Sequence, residues 1–359
     1  EQEAKKFDAY GYEADGNRFT DTYAFGVTGK DEFGVWNGEV RARLCKQQDE
    51  QNKDFVCPPF SDLVFYKLHV RGFTKHASSG VKHKGTFAGV AEKIPYLKEL
   101  GINAVLLMPV YEFEECMEVT KSYGKLSGKL LAQYEERYGS EFVKVQQSYE
   151  KEGKEEKTIE RINYWGYTDT NFYFSPKAAY ASDKKQPGAE LRSMVDALHA
   201  AGIAVFFEFF FGNESTHAMI SDCIRYWTYV YGGDGFRLIG KEAALPLLLE
   251  DPYLSGVRFL VTDYGCGSGS GESDFAGRRV ALYNDGFRNG MRRFVKGDEN
   301  MVGEFVSRLT KERPEAAGIQ YVADQNGFSL YDIYAYDRKH NEANGEDNKD
   351  GEDYNHSWN

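Results

Sequence analysis

The stretch Asn103-Ala104-Val105-Leu106-Leu107-Met108-Pro109-Val110 is a short, continuous apolar run. A run of this length without polar alternation is typical of a strand that is buried on both faces, as in a parallel sheet. The segment before it, residues 89–100, places four apolar side chains at helical spacing. A helix followed by a buried strand indicates an α/β protein.

Strand-like runs recur along the chain, and between them lie helical segments such as residues 191–201, which end at Gly202, a residue suited to a helix C-cap. Seven runs are counted: 65–70, 103–110, 203–211, 235–239, 257–263, 280–283 and 319–324. Parallel strands joined by helical crossovers predict a (β/α)8-type (TIM) barrel with its active face at the carboxyl ends of the strands. A doubly wound sheet is the alternative, although neither GxGxxG nor GxxxxGK occurs to support it.

Three segments are distinguished along the chain. Residues 1–60 are predicted to be an irregular lead-in, because they are polar and broken by glycines, and residues 61–359 to be the barrel domain. Residues 112–160 are rich in Glu and Lys and carry apolar side chains between Leu126 and Val145. This pattern predicts one or two amphipathic surface helices inserted after the second strand.

Composition excludes several classes of protein. The 359 residues are 41% hydrophobic and 28% charged, as in a globular protein, and the net charge of −12 disfavours a nucleic-acid or anionic-membrane partner. No run is long enough to span a bilayer and no signal peptide begins the sequence, so a cytoplasmic location is expected. The aromatic fraction of 15% fits either sugar stacking or a bulky core.

Neither a metal nor a cofactor is expected. His69, His76 and His83 lack the spacing of metal ligands, and the five cysteines are scattered without a CxxC pair. The net charge of −12 favours a neutral substrate.

Nine blocks together resemble the α-amylase superfamily of glycoside hydrolases, in its isoamylase, pullulanase and glycogen-debranching branch. They are residues 66–73, 85–87, 94–101, 163–167, 171–176, 234–237, 287–294, 339–346 and 357–359. They follow the order of the family from about residue 60 onward. The resemblance implies a TIM barrel that acts on or binds α-glucans or maltooligosaccharides.

The resemblance also implies three carboxylates at the strand ends, two of them a nucleophile and a proton donor about 5–5.5 Å apart. Here the nucleophile position is Ile239 and the proton-donor position is Asp263. The His-Asp pair of the seventh strand is matched by Gln325 and Asn326, which are neutral amides. Only Asp263 can be titrated, so no intact catalytic set is expected.

Other positions that match the family predict a binding surface. Tyr164 would stack on the sugar, with Trp165 beside it, although packing at the barrel mouth explains both rings equally well. Glu208 and Asn213 stand where the family has Asp and His on the third strand. Because Ile239 gives Arg237 no anion, Arg237 is predicted to pair elsewhere, with Asp263 or Glu208.

These substitutions favour an inactive pseudoenzyme that binds α-glucan or supports a partner, either an active debranching relative or a second copy. An active α-1,6-glucosidase that uses Asp324 or Glu208 instead is the alternative, and an assembly module without sugar affinity is a third hypothesis. The barrel is expected to end before its eighth strand. Exposed sheet edges would then call for a truncated chain, a strand from another segment, or association.

Overall fold

The computed structural model describes residues 9–35, 40–45, 54–118, 159–262, 279–310, 317–325, 327–342 and 348–356. Two compact units are present. The first unit comprises Glu1–Val119 and Glu135–Leu260, and the second comprises Thr120–Tyr134 and Val261–Asn359.

The strands of the described residues are β1 (Ala9–Tyr10), β2 (Tyr12–Ala14), β3 (Asn17–Phe19), β4 (Ala42–Arg43), β5 (Phe65–Leu68), β6 (Ala104–Leu107), β7 (Tyr111–Phe113), β8 (Cys116–Glu118), β9 (Ile159–Ile162), β10 (Asn171–Pro176), β11 (Ala204–Phe210), β12 (Gly235–Ile239), β13 (Arg258–Val261), β14 (Val280–Tyr283) and β15 (Ala317–Ile319). The helices of the same residues are α1 (Val70–Thr74), α2 (Phe87–Glu92), α3 (Ile94–Glu99), α4 (Pro187–Ala200), α5 (His217–Tyr231), α6 (Leu245–Glu250), α7 (Asp285–Lys296), α8 (Met301–Thr310) and α9 (Leu330–Ala335). Within the described part of the chain, no helix is long and apolar enough to cross a membrane.

Parallel strands of the first unit lie side by side in their order along the chain. β5 pairs with β6, β6 with β11, β11 with β12, and β12 with β13, all in parallel. In the second unit β14 pairs with β15, also in parallel. A doubly wound sheet would reverse its order from a central strand. The unbroken order from β5 to β13 in the first unit confirms barrel-type winding there, and β14 and β15 of the second unit keep the parallel arrangement.

Alternation along β11 divides its side chains between two environments. Phe207 and Phe209 pack against Trp227 of α5, with ring centroids 5.1 and 5.3 Å apart. Phe206 lies on the other side of the strand, edge-on to Phe65 of β5 at 4.8 Å. Glu208 shares that second side, because side chains two residues apart on a strand point the same way.

Helix boundaries differ from the prediction at two places. The helix predicted over 89–100 is two helices, α2 and α3, because Pro95, the second residue of α3, cannot donate a backbone hydrogen bond. α4 starts at Pro187, four residues before the predicted start. Its predicted end holds, since Gly202 follows with φ of 79°.

The seventh predicted strand is displaced. β15 covers Ala317–Ile319, whereas the sequence predicts 319–324. Asp324 therefore lies after the strand, in the irregular segment between β15 and α9.

The predicted insertion begins and ends in strands. β7 pairs antiparallel with β10, and β8 pairs antiparallel with β9. Residues 112–118 are thus mostly extended rather than helical. The apolar positions from Leu126 to Val145, on which the predicted helices depend, lie outside the described residues.

The described part of the lead-in belongs to the first unit and packs against later residues of that unit. Its strands form two small antiparallel pairs, β1 with β4 and β2 with β3. Ala24, Val27 and Ala42 share a buried cluster with Phe172. The boundary at residues 60 and 61 stays a prediction.

Candidate functional site

Glu208 is the centre of a buried polar group on the strands of the first unit. Its side chain has no exposed surface, and the register of the sheet places it beside Arg237 on β12. Lys67 of β5 approaches with its Nζ 2.6 Å from Glu208 Oε2. Arg237 Nε lies 3.5 Å from the same oxygen, and Tyr167 donates its hydroxyl to Oε1.

This group compensates the charge of Glu208. A buried carboxylate without partners is costly, and Glu208 has two cations and one hydroxyl around it. Burial, followed by the charge of Glu208, raises the pKa of Tyr167, so its hydroxyl stays protonated and remains a donor. Both oxygens of Glu208 have partners, and the side chain has no exposed surface through which a substrate could reach them.

The predicted alternative pairing of Arg237 with Glu208 is present in the structure. Lys67 and Tyr167, the other two partners of Glu208, were not predicted. One sequence signal pointed to Lys67, since a charged residue in the middle of an apolar strand needs a buried counterion. Tyr167 gave no comparable signal.

Ile239 closes β12 two residues after Arg237, and so lies on the same side of the strand. Its side chain is partly buried, and its carbonyl accepts the backbone N–H of Phe211 at 2.9 Å. The end of this strand therefore presents an aliphatic side chain that can neither form a covalent intermediate nor transfer a proton.

A second group, of aromatic rings, surrounds His69 at the end of β5. The rings of His69 and Tyr164 are stacked, with centroids 4.4 Å apart, and Trp165 lies edge-on to both. Trp165 is 40% exposed, whereas Tyr164 is partly buried. Packing at the strand ends thus accounts for Tyr164 in part, while Trp165 offers an open ring face or edge to a ligand.

His69 holds this aromatic group in place. Its Nδ1 accepts the N–H of Gly72, so the proton of the neutral ring is on Nε2, which lies 3.0 Å from the Tyr164 carbonyl and 2.7 Å from the Tyr180 hydroxyl. Burial lowers the pKa of His69 to about 3. The ring is therefore neutral at physiological pH and acts as a fixed structural connector.

Asn213 belongs to neither of these groups. Asn213 follows β11 and is exposed, and its backbone N–H donates to Asp169 Oδ1 at 3.0 Å. Gln325 is partly exposed in the second unit. Asp263 and Asn326 lie outside the described residues.

Asp324, the substitute carboxylate considered in the sequence, is in an ion pair. Its Oδ1 lies 3.8 Å from Arg288 Nη1 of α7, and Arg288 also pairs with Glu352. The side chain of Asp324 is 8% exposed. The charge of Asp324 is therefore compensated by Arg288 within the second unit.

A family model described as the alpha-amylase catalytic domain matches residues 19–150. Isoamylase 3, chloroplastic, of Oryza sativa subsp. japonica is 30% identical over 431 residues, covering 94% of this chain and 50% of the rice protein. Isoamylase 1, chloroplastic, of Arabidopsis thaliana is 27% identical, covering 98% of this chain and 55% of that protein. A glycogen operon protein GlgX homolog of Mycobacterium tuberculosis (strain ATCC 25618 / H37Rv) is 29% identical, covering 84% of this chain and 46% of that protein.

Solved structures agree on the fold. GBS pullulanase SAP in complex with maltotetraose superposes with a TM-score of 0.60 at 18% identity, covering 88% of this chain and 47% of that one. Pullulanase from Bacillus acidopullulyticus gives a TM-score of 0.59 at 20% identity, covering 90% of this chain and 45% of that one.

The chain therefore belongs to the α-amylase superfamily of glycoside hydrolases, in its isoamylase, pullulanase and glycogen-debranching branch. It spans about half the length of the curated relatives that it matches.

Proposed function

We propose that this protein is a debranching-enzyme-like α-glucan-binding protein that does not hydrolyse its ligand. The observation that carries the proposal is Ile239 at the end of β12, where the family resemblance requires a nucleophilic carboxylate. Retaining hydrolysis needs two carboxyl groups at the scissile bond, and an aliphatic side chain supplies neither role. The maltotetraose bound by GBS pullulanase SAP suggests the class of ligand.

Glu208 does not replace the missing carboxylate in this proposal. Its side chain has no exposed surface, so neither oxygen is accessible to a sugar. The side chain of Asp324 is 8% exposed and is paired with Arg288. An active α-1,6-glucosidase with displaced carboxylates is the alternative outcome of the tests below.

Turnover is tested first, on glycogen, amylopectin and pullulan. We expect no release of reducing ends above the rate in buffer. Turnover that Asp263→Asn abolishes, and that the matched change Asp298→Asn in the second unit leaves intact, would overturn the proposal. A mechanism-based glycosidase inhibitor should label neither Glu208 nor Asp324, and covalent labelling of either would establish the alternative.

Binding is tested by isothermal titration with maltotetraose and maltoheptaose. We expect binding that Trp165→Ala weakens, because that ring is exposed beside Tyr164. Tyr253→Ala is the control, since Tyr253 is 64% exposed but lies outside the aromatic group. Absence of binding by the parent protein would favour an assembly module without sugar affinity.

The proposal extends to a supporting role beside an active debranching relative or a second copy of the chain. Light scattering of the protein alone, and of its mixture with an isoamylase, measures this directly. A monomer that stays separate in both samples excludes that role.

A further inference from the structure

One residue of the lead-in lies among the rings that the proposed function uses. The centroid of the Phe33 ring is 5.6 Å from that of Tyr164, with the planes 76° apart, and 6.0 Å from that of Tyr180. The guanidinium of Arg71 lies 4.8 Å from the centre of the Phe33 ring. Phe33 therefore contacts residues from three separate segments of the first unit.

The backbone next to Phe33 is anchored to a buried carboxylate. Gly34 donates its N–H to Glu115 Oε2, and Glu115 is paired with Lys177, whose side chain is completely buried. Gly34 has φ of 76°, and a Cβ there would lie 3.0 Å from Ile162 Cδ1. This position therefore accepts glycine and strains any other residue.

A second ion pair holds the same segment. Lys30 Nζ lies 2.8 Å from Glu114 Oε1, and the Lys30 side chain is only 3% exposed. Two adjacent carboxylates at the start of the predicted insertion, Glu114 and Glu115, thus fix the chain on both sides of Phe33. The backbone on either side of the Phe33 ring is therefore held by a contact to a carboxylate.

We propose that Phe33 is a positioning residue that holds the Tyr164 ring in the orientation in which it contacts an α-glucan. The inference rests on the proposed α-glucan binding. A stacking ring that is already fixed loses less conformational freedom when a ligand binds, and that saving is about 0.5–1.5 kcal/mol per side chain. Loss of Phe33 should therefore weaken binding roughly two- to tenfold.

The test uses Phe33→Leu, which keeps an apolar side chain but removes the ring. Maltoheptaose affinity is measured by titration, and the Tyr164 ring is observed by fluorine NMR of protein containing 3-fluorotyrosine, with its signal assigned through Tyr164→Phe. We expect weaker binding together with a shifted or broadened Tyr164 signal. Phe33→Tyr, which restores a ring, should return both measurements towards the parent values.

The matched control is Phe25→Leu, because Phe25 is another lead-in ring, stacked on Tyr226 at 5.1 Å. It should change neither the affinity nor the Tyr164 signal. Gly34→Ala is a second variant in case Phe33→Leu does not fold, and it should produce the same two changes while keeping the ring.

An unchanged Tyr164 signal in both Phe33→Leu and Gly34→Ala overturns the inference, as does a shifted signal with unchanged affinity. Failure of the proposed function is a different result, in which the parent protein itself binds no maltoheptaose. In that case the Tyr164 signal still reports whether Phe33 holds the ring.

Discussion

Glu208 is an example of a buried carboxylate whose partners determine its role. Attraction between buried charges barely exceeds the cost of removing them from water, so the pair as a whole contributes little stability. Removal of one partner is different, because it leaves an uncompensated charge in the interior. The side chains of Lys67, Arg237 and Glu208 are 16%, 7% and 0% exposed, so this cost applies here.

Lys67→Met should therefore destabilise the protein. We expect a loss of about 1–3 kcal/mol in the free energy of unfolding, because Glu208 loses one buried partner but keeps Arg237 and Tyr167. Urea unfolding followed by circular dichroism measures it. The double change Lys67→Met with Glu208→Gln should recover part of the loss, and full additivity of the two single changes would show that the pair is not coupled.

Glu112 makes stability depend on pH. Burial, only partly offset by Lys177, raises the pKa of Glu112 to about 7. The pKa of Lys177 is raised as well, because Glu115 and Glu112 together outweigh the lowering effect of burial, so its ammonium stays charged. Since the folded state holds the Glu112 proton more tightly than the unfolded chain, this stabilisation is complete below pH 4.5 and is lost as pH rises to about 7.

We expect the free energy of unfolding to decrease between pH 5 and pH 8 through this group. Glu112→Gln should remove that part of the slope, whatever its effect on absolute stability. Denaturant titrations at several pH values measure both slopes. Glu92→Gln is the control, since Glu92 is a surface carboxylate whose pKa is lowered by backbone hydrogen bonds from Lys82 and His83. Equal slopes for the parent and Glu112→Gln would contradict the assignment.

At the scale of elements, the sequence was most informative where side chains are apolar on both faces. Residues 103–110 and 203–211 contain β6 and β11, as expected for short, mostly apolar runs that follow a helical segment. The sequence predicts the seventh strand later than β15 because Ala317 and Gly318 have low strand propensity, whereas residues 319–322 have a higher one. The break between α2 and α3 shows that a proline outweighs apolar spacing.

α5 supplies a prediction at this scale. Trp227 is completely buried, and its indole N–H donates to the Tyr173 carbonyl at 2.7 Å. Trp227→Phe keeps an aromatic ring but leaves that carbonyl without this donor, so we expect a loss of about 1–3 kcal/mol. Thermal and urea unfolding measure it.

The control lies on the same helix. Tyr229 donates its hydroxyl to the Tyr253 carbonyl at 2.6 Å, at a solvent-exposed position. Tyr229→Phe should change the free energy of unfolding by no more than about 0.5 kcal/mol, since water can replace the donor. A loss as large as that of Trp227→Phe would show that burial is not the cause.

For the whole molecule, the net charge of −12 disfavours anionic ligands and contributes little to the binding of a neutral one. A neutral glucan carries no charge that salt could screen, so maltoheptaose affinity should be the same in 50 mM and 500 mM NaCl. Titration at both concentrations checks this. A steep decrease with salt would indicate a charged ligand and would contradict the α-glucan proposal.

A substantial part of the aromatic excess belongs to the core. Among the largest fully buried side chains are Trp227, Tyr111, Tyr180, Tyr231, Phe87 and Phe113. Trp165 is the exposed member of the aromatic group, so sugar stacking accounts for only a small part of the composition. Composition alone could not show which aromatic side chains pack in the core and which are available to stack on a sugar.

The candidate site was predictable only where it follows the family order along the chain. Arg237 and Glu208 are on neighbouring strands, and their pairing could be anticipated from missing charge at Ile239. The contacts of Glu208 with Lys67 and Tyr167 span 141 and 41 residues of sequence. Such contacts depend on register and strand order, which no local pattern in the sequence encodes.

The antiparallel ladder of β7 with β10 also bears on how the chain folds. β6 and β11 are neighbours in the sheet, yet the connection between them contains the whole predicted insertion. Once Tyr111 pairs with Pro176, only the short path through α4 remains to be closed before β11 can join β6. Because the entropy lost in loop closure grows with loop length, the β7–β10 pairing shortens the loop that the contact between β6 and β11 must close.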